Sequence, residues 1–360
     1  MDAARLDELL LTPTASIRTA IERIDAGAIE IALVVDDRGR LLGTLTDGDV
    51  RRALLRGVSL DDPAGSIAHR GPVTAPLGMA ESRLLAMMTE HGIDQVPLLG
   101  EDGRVHDVAF LRDLLGASET PLHHAENPVV LMAGGLGTRL RPLTESTPKP
   151  MLPVGDKPLM ETVLGQIRDA GFSRVLISVN FHAEVIEGHF GDGSDFGVDI
   201  TYLHEDEPLG TAGALRLAGG ALDRPFVVMN ADLLTNVKLA ALMRFHREEH
   251  NLITVGVRRY ALEVPYGVIE LNETQLVAMR EKPRLSFFVN AGIYAVEPAA
   301  MPLLPQLPSS FNMPDLVEAA LARRLRVGGF PVREYWLDIG QLADYDRAHS
   351  DHATHFSVHG

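Results

Sequence analysis

Val129-Val130-Leu131-Met132-Ala133-Gly134-Gly135-Leu136-Gly137-Thr138-Arg139-Leu140-Arg141-Pro142-Leu143-Thr144-Glu145-Ser146-Thr147-Pro148-Lys149-Pro150 is the stretch on which the reading of this chain turns. Its first four residues predict a short buried strand, and the glycines that follow predict a loop. Without side chains, such a loop lets backbone N–H groups approach a polyphosphate closely, and Arg139 and Lys149 add positive charge on the same connection. The segment therefore points to chemistry on a nucleoside triphosphate. Two better-known loops are excluded. A dinucleotide fingerprint through Gly135 and Gly137 needs Gly or Ala where Leu140 stands, and no Gly-Lys-Ser/Thr completes a Walker A loop.

The rest of the chain sets bounds on that reading. At 360 residues it calls for two or three domains, with 46% hydrophobic and 23% charged residues as in ordinary globular proteins. No apolar run approaches the ~20 residues of a membrane span. The first residues, Met1-Asp2-Ala3-Ala4-Arg5-Leu6-Asp7-Glu8, are too acidic to read as a signal peptide. The absence of cysteine excludes disulfides, thiolate metal sites and a thiol nucleophile, and fits a cytoplasmic protein. A net charge of −16 argues against general nucleic-acid binding. Of 33 basic residues only four are lysine (Lys149, Lys157, Lys238 and Lys282), so a retained lysine marks a place where a compact ammonium is wanted.

The first third repeats itself. The segment from Ala28 to Arg40 aligns with that from Gly92 to Arg104 at an offset of 64 residues, which also relates Asp49 to Asp113. Each copy reads as helix, strand, Asp-x-Gly turn, strand and helix, and neither has much core alone. With Gly43-Thr44-Leu45-Thr46-Asp47-Gly48-Asp49 in the first copy, residues 8–118 resemble a tandem CBS-domain pair, an α+β module. The resemblance implies that Thr46 and Asp49 hold the ribose of an adenine or guanine nucleotide that regulates the chain. The bland alternative is that Thr46 is a helix cap and the module serves association. In the second copy Asp107, Phe110 and Asp113 stand at the equivalent positions. Phe110 cannot hydrogen-bond a ribose and Asp107 would repel phosphate.

Residues 1–120 are thus expected to form the regulatory module and 121–127 a linker. From 128 to about 350 strands alternate with helices. Val129–Met132, Arg174–Val179, Asp199–Leu203, Phe226–Met229 and Ile253–Val257 are the expected strands, and Leu159–Ala170, His182–Phe190 and Leu239–His250 the expected helices. This order predicts an α/β domain, a mostly parallel Rossmann-like sheet covered by helices on both faces, with ligands at the carboxyl ends of the strands. Residues 351–360, within the histidine-sprinkled stretch from His349 to His359, read as a frayed tail.

The opening stretch, through Pro150, resembles the signature of sugar-1-phosphate nucleotidyltransferases, and further segments extend the resemblance to about residue 347. These are Glu207-Pro208-Leu209-Gly210-Thr211-Ala212-Gly213-Ala214, Asn230-Ala231-Asp232, Tyr266-Gly267-Val268-Ile269, Glu281-Lys282-Pro283, Asn290-Ala291-Gly292 and Trp336-Leu337-Asp338. The resemblance implies a nucleotide site formed by Ala133, Gly134, Gly135, Gly137, Thr138, Gly210, Thr211 and Gly213. It implies a sugar-phosphate site of Gly267, Glu281, Lys282 and Asn290, and Asp232 and Asp338 as ligands of Mg²⁺, a hard cation that suits two carboxylates. Arg139, Lys149 and Lys282 would be the catalytic cations. The implied reaction joins a nucleoside triphosphate to a sugar 1-phosphate and releases pyrophosphate, with no protein nucleophile, by positioning and charge neutralisation.

The Asn230-Ala231-Asp232 and Pro-Leu-Gly-Thr-Ala-Gly segments resemble the mannose-1-phosphate guanylyltransferase branch. The fused CBS pair resembles guanylyltransferases of nonulosonic acid pathways that act on glucosamine 1-phosphate. GTP is the expected donor, UTP or dTTP the alternative, and the product a precursor of cell-surface glycan or nonulosonic acid. The rival from another class is a catalytically silent nucleotide sensor. The expected partners are the two substrates and a second copy of the chain, with neither nucleic acid nor membrane.

Overall fold

In the computed structural model, Ile31–Val35 pairs antiparallel with Leu41–Thr46, and Gln95–Leu99 with Val105–Phe110. Ile31 faces Thr46 and Gln95 faces Phe110, a shift of 64 residues, and both ladders break register at matching points, Val34/Val35 and Leu98/Leu99. The repeat is thus preserved down to its bulge. Each hairpin gains a two-residue parallel strand, Leu10–Leu11 or Ala75–Pro76. The halves share a core in which Leu9, Ile31 and Leu33 pack with Val105, Val108 and Phe110.

The structure describes residues 6–26, 31–91, 93–114, 126–306 and 310–356. Repeat positions 28–30 and 92, linker residues 121–125 and tail residues 357–360 lie outside them. The chain divides into two compact units, Met1–Thr120 and Pro121–Gly360.

The second unit is built on strands β1 (Val129–Met132), β2 (Arg174–Val179), β3 (Asp199–His204), β4 (Phe226–Asn230), β5 (Leu233–Thr235), β6 (Ile253–Glu263), β7 (Val268–Asn272), β8 (Gln275–Arg280), β9 (Arg284–Val296), β10 (Val327–Pro331) and β11 (Trp336–Asp338). Seven of them form one sheet in the order β3-β2-β1-β4-β9-β6-β10. Every strand but β9 runs the same way. Helices α1 (Leu159–Asp169), α2 (Ala183–Phe190), α3 (Leu239–Glu248), α4 (Met313–Ala322) and α5 (Leu342–His355) complete the unit.

Both faces are buried. Val129 and Leu131 of β1 pack with Met160 of α1, Ile186 of α2 and Leu242 of α3. Val130 points the other way, into a core with Leu215 and with Met313 and Leu316 of α4. This is why β1 and β4 read as unbroken apolar runs. The mixed α/β architecture agrees with the sequence reading.

Two features differ from expectation. β6 and β9 are far longer than the predicted strand at 253–257. Where three residues of β9, Ala291–Ile293, stand opposite the single Gly256 of β6, the ladder shifts register, and beyond it the two strands leave the sheet as an antiparallel arm joined by the β7–β8 hairpin. The stretch from His349 is not a frayed tail through residue 356. It continues α5, where His352 is buried and stacks on Phe356, and Tyr335 Oη donates to Asp351. A carboxylate cap at Asp344 and contacts of Tyr345 with the backbone of Pro153 hold that helix in place. No helix among the described residues is long and apolar enough to cross a membrane.

Candidate active site

The glycine-rich loop leaves the carboxyl end of β1, and each glycine there answers a different constraint. A Cβ on Gly134 would overlap the carboxylate of Glu205. Gly137 has φ +60°, and its Cβ would lie 3.0 Å from Thr144 Cγ2 and 3.3 Å from Lys149 Cβ. A Cβ on Gly135 would meet nothing within 4 Å. Gly134 and Gly137 are therefore fixed by the protein's own packing, whereas Gly135 faces open space. Thr144 Oγ1 donates to the Gly137 carbonyl at 2.8 Å and closes the loop on itself. Leu140, where a dinucleotide loop needs a small residue, is buried with Leu152, Val154 and Leu159. A cleft of about 350 Å³ opens above the loop, lined by Ala133, Gly135, Gly137, Thr138, Arg139 and Lys149 among others, with Asp232 at its edge.

Lys149 Nζ pairs with Asp232 Oδ2, while the other oxygen, Oδ1, is buried with no hydrogen-bond partner among the described residues. Asp232 follows β4, and the Ile339 N–H donates to its carbonyl at 3.2 Å. Just beyond, β5 pairs antiparallel with β11 so that Leu233 faces Asp338. Two short strands thus set the carboxylates side by side. Burial pushes the Asp338 carboxyl above its usual range, the Asp232 charge adds to the rise, and Lys149 and Arg139 oppose it. A carboxylate pair with one orphaned buried oxygen fits a hard divalent cation. No cluster of three or more His, Asp or Glu side chains suited to a metal occurs among the described residues. A cation here would take the rest of its shell from phosphate and water.

A second cleft, of about 330 Å³, lies on the other side of this pair, with Asp338, Asn230, Asn290, Thr211, Asn312 and Trp336 in its wall. Asn290 is held by bonds to Tyr294 Oη at 2.5 Å and to the Gly292 N–H at 3.0 Å. Trp336 Nε1 donates to the Ala291 carbonyl at 2.8 Å. Asp232 borders the first cleft and Asp338 the second.

The loop from Glu207 to Ala214 is placed by a segment that the sequence reading passed over. The Ala212 and Gly213 N–H groups donate to the Phe311 carbonyl, and the Thr211 N–H donates to Asn312 Oδ1. Gly210, at φ +78°, could carry no side chain without striking Phe311 and Asn312. The Leu209 N–H donates to Glu205 at 2.8 Å, and Ser178 donates to the same carboxylate. These amides are satisfied internally, and the buried Glu205, packed against Gly134, ties the start of this loop to Ser178 of β2. Only the cap pattern Asn312-Met313-Pro314-Asp315 signalled the Phe311 segment in the sequence, and nothing local signalled Glu205.

Some expected residues stand apart. Gly267, Glu281 and Lys282 lie on the arm and line neither cleft; a Cβ on Gly267 would sit 3.1 Å from Glu281 Oε2, and Lys282 turns the chain at φ +41°. In the first unit Thr46 and Asp49 form a reciprocal capping box at the start of the helix Asp47–Leu55. Thr46 Oγ1 and N–H both donate to Asp49 Oδ2, and Arg52 donates to Oδ1 at 2.8 Å. Both oxygens that a ribose would use are engaged. In the second copy Phe110 is buried and Asp107 accepts from the Val108 N–H, while the side chain of Asp113 lies outside the described residues.

A seven-stranded α/β sheet with a glycine loop, a lysine and two carboxylates at its carboxyl edge defines a phosphoanion-handling protein. The nucleotidyl transferase family model matches residues 128–355, and the chain belongs to that family. The CBS domain model matches twice, over residues 4–56 and 64–120. A mannose-1-phosphate guanylyltransferase catalytic subunit beta from Drosophila pseudoobscura pseudoobscura is 34% identical over 239 residues, 64% of each chain. A mannose-1-phosphate guanylyltransferase from Mycobacterium tuberculosis is 34% identical over 227 residues, 62% of this chain and 63% of that one. The match spans less than two thirds of either relative's length. In fold, the chain resembles a Bacillus anthracis protein provisionally named a glucose-1-phosphate thymidylyltransferase and solved with sucrose, at TM-score 0.51 and 23% identity over 65% of this chain and 97% of that one.

Proposed function

We propose that the second unit is a sugar-1-phosphate nucleotidyltransferase that uses GTP and a hexose or hexosamine 1-phosphate, such as mannose or glucosamine 1-phosphate, to make a nucleoside-diphosphate sugar for cell-surface glycan or nonulosonic acid synthesis. The observation that carries this is the seam of Lys149, Asp232 and Asp338 between two clefts, one floored by the glycine loop and one by Asn290 and Asn312. Two polyanions must meet there, and the chemistry needs their repulsion offset more than it needs a protein nucleophile. Arg139 would neutralise the departing pyrophosphate and Lys149 the triphosphate near the reacting phosphorus. Asp232 and Asp338 would hold Mg²⁺, which supplies charge neutralisation to the phosphates when bound.

Lys282 and Glu281 would reach the sugar phosphate from the arm together with Gly267. Support for GTP comes from the family branch. A pyrophosphate-release assay across four nucleoside triphosphates and a panel of sugar 1-phosphates tests the reading. GTP with mannose or glucosamine 1-phosphate is expected to release pyrophosphate fastest. A UTP or dTTP preference would overturn the branch, and no release with any pair would favour the silent sensor.

The first unit we read as a regulatory pair. Its Thr46–Asp49 box acts first as a helix cap, and nucleotide binding there would require that box to open.

A further inference from the structure

Beyond the register shift opposite Gly256 the arm is amphipathic in a way that a lone chain leaves unexplained. Tyr260 lies directly across from Phe287 and Leu262 from Leu285, on one face of the β6–β9 ladder. The alternate pairs, Ala261–Ser286 and Glu263–Arg284, occupy the other face. This alternation marks a face built to be covered. The hairpin repeats it, with Ile269 across from Met279 and Leu271 from Leu276. Yet Tyr260 and Phe287 are each 55% exposed, and Leu271 and Met279 each 62%.

We propose that this apolar face is the interface with a second copy of the chain. Area supports it. With neighbouring Tyr266 and Val277, these side chains offer on the order of 1,000 Å², above the ~300–600 Å² of the largest patch on a typical monomer and the ~800 Å² per partner of a standard interface. Charge selects the partner. From Arg258 to Phe288 the chain carries five basic residues and four acidic ones, within a protein of net charge −16. A near-neutral face lets two copies of an acidic chain meet with little charge repulsion. The near-balance also gives an anionic bilayer nothing to attract. A self-complementary face of this kind closes on itself through a two-fold axis.

The chain has no cysteine, which makes a single introduced one a clean reporter. Light scattering on the full chain should give a mass of two chains or an even multiple. The double variant Tyr260→Glu/Leu262→Glu should halve that mass with an unchanged melting temperature. Independently of whether that variant folds, Leu262→Cys treated with a short bis-maleimide should yield a covalent dimer, and Asp199→Cys on the sheet edge should not. A one-chain mass for the wild type at micromolar concentration, or a mass that survives the double variant, would overturn the proposal. So would a cross-link that forms only at position 199, or monomers that co-sediment with phosphatidylcholine vesicles, which would assign the face to lipid.

Discussion

Thr46–Asp49 and the loop from Gly134 to Lys149 both invite a nucleotide on sequence grounds, and the fold treats them in opposite ways. At the first, every polar atom that a ribose would need is spent within four residues of chain and on Arg52. At the second, among the described residues, nothing packs over Gly135, and the buried Asp232 Oδ1 has no hydrogen-bond partner. A satisfied motif stabilises its own helix, whereas an unsatisfied one holds capacity for something that arrives later. Residue type does not separate the two cases, but the accounting of hydrogen bonds does.

The largest effect that would break or sharpen this contrast lies at Lys149. Lys149→Ala is expected to lower turnover by roughly 10³-fold, the scale seen when a charge-stabilising group is removed from a transition state. Steady-state kinetics that stayed near wild type would show that the open site is not the reacting one. Asp338→Asn is expected to reduce turnover by about 10²-fold or more while raising the melting temperature.

The sign of that stability change follows from the raised carboxyl. A proton on Asp338 favours the fold, fully so below the ordinary aspartate range, and that gain is lost as pH rises through the elevated value. At neutral pH the ionised pair is therefore a cost, which the amide removes. Calorimetry should show the advantage of Asp338→Asn shrinking as pH is lowered into the carboxylate range. An advantage independent of pH would refute the electrostatic account.

Smaller effects follow. Glu205→Gln removes the charge from the bonds that Ser178 and the Leu209 N–H donate, and should cost about 1–2 kcal/mol in denaturant unfolding of the second unit. Thr46→Ala should cost about 1 kcal/mol in denaturant unfolding of the first unit and leave turnover within about twofold. If AMP or GMP raised the melting temperature of the wild type and Thr46→Ala abolished that rise, the first site would prove as open as the second.

The motif at 129–150 and the five predicted strands were legible because each depends on local chemistry, an apolar run or a glycine loop, whereas a lone acidic strand end reads as a helix cap and Asp232 and Asp338 stood out only through the family resemblance of the segments around them. What escaped depends on meetings between distant segments. Glu205 matters because Gly134 and Leu209 both reach it, and Phe311 because it caps the amides of residues 212 and 213. The arm was hidden for a different reason. Arg258 and Arg259 interrupt the apolar pattern where the strand leaves the sheet, so the apolar run ends at Val257. Asn290 reaches its cleft because β9 runs from the arm into the middle of the sheet.

The bulge of β9 opposite Gly256 also separates two histories of change. A one-residue insertion in a regular ladder turns every later side chain to the wrong face, and selection removes it. Here the register already shifts between Val255 and Val257, ahead of the arm and behind the pairing of β9 with β4. Lengthening or trimming between Glu263 and Arg284 therefore leaves the central sheet in step. A lineage can remodel the arm, and with it whatever the arm touches, while the phosphate-facing edge is inherited intact.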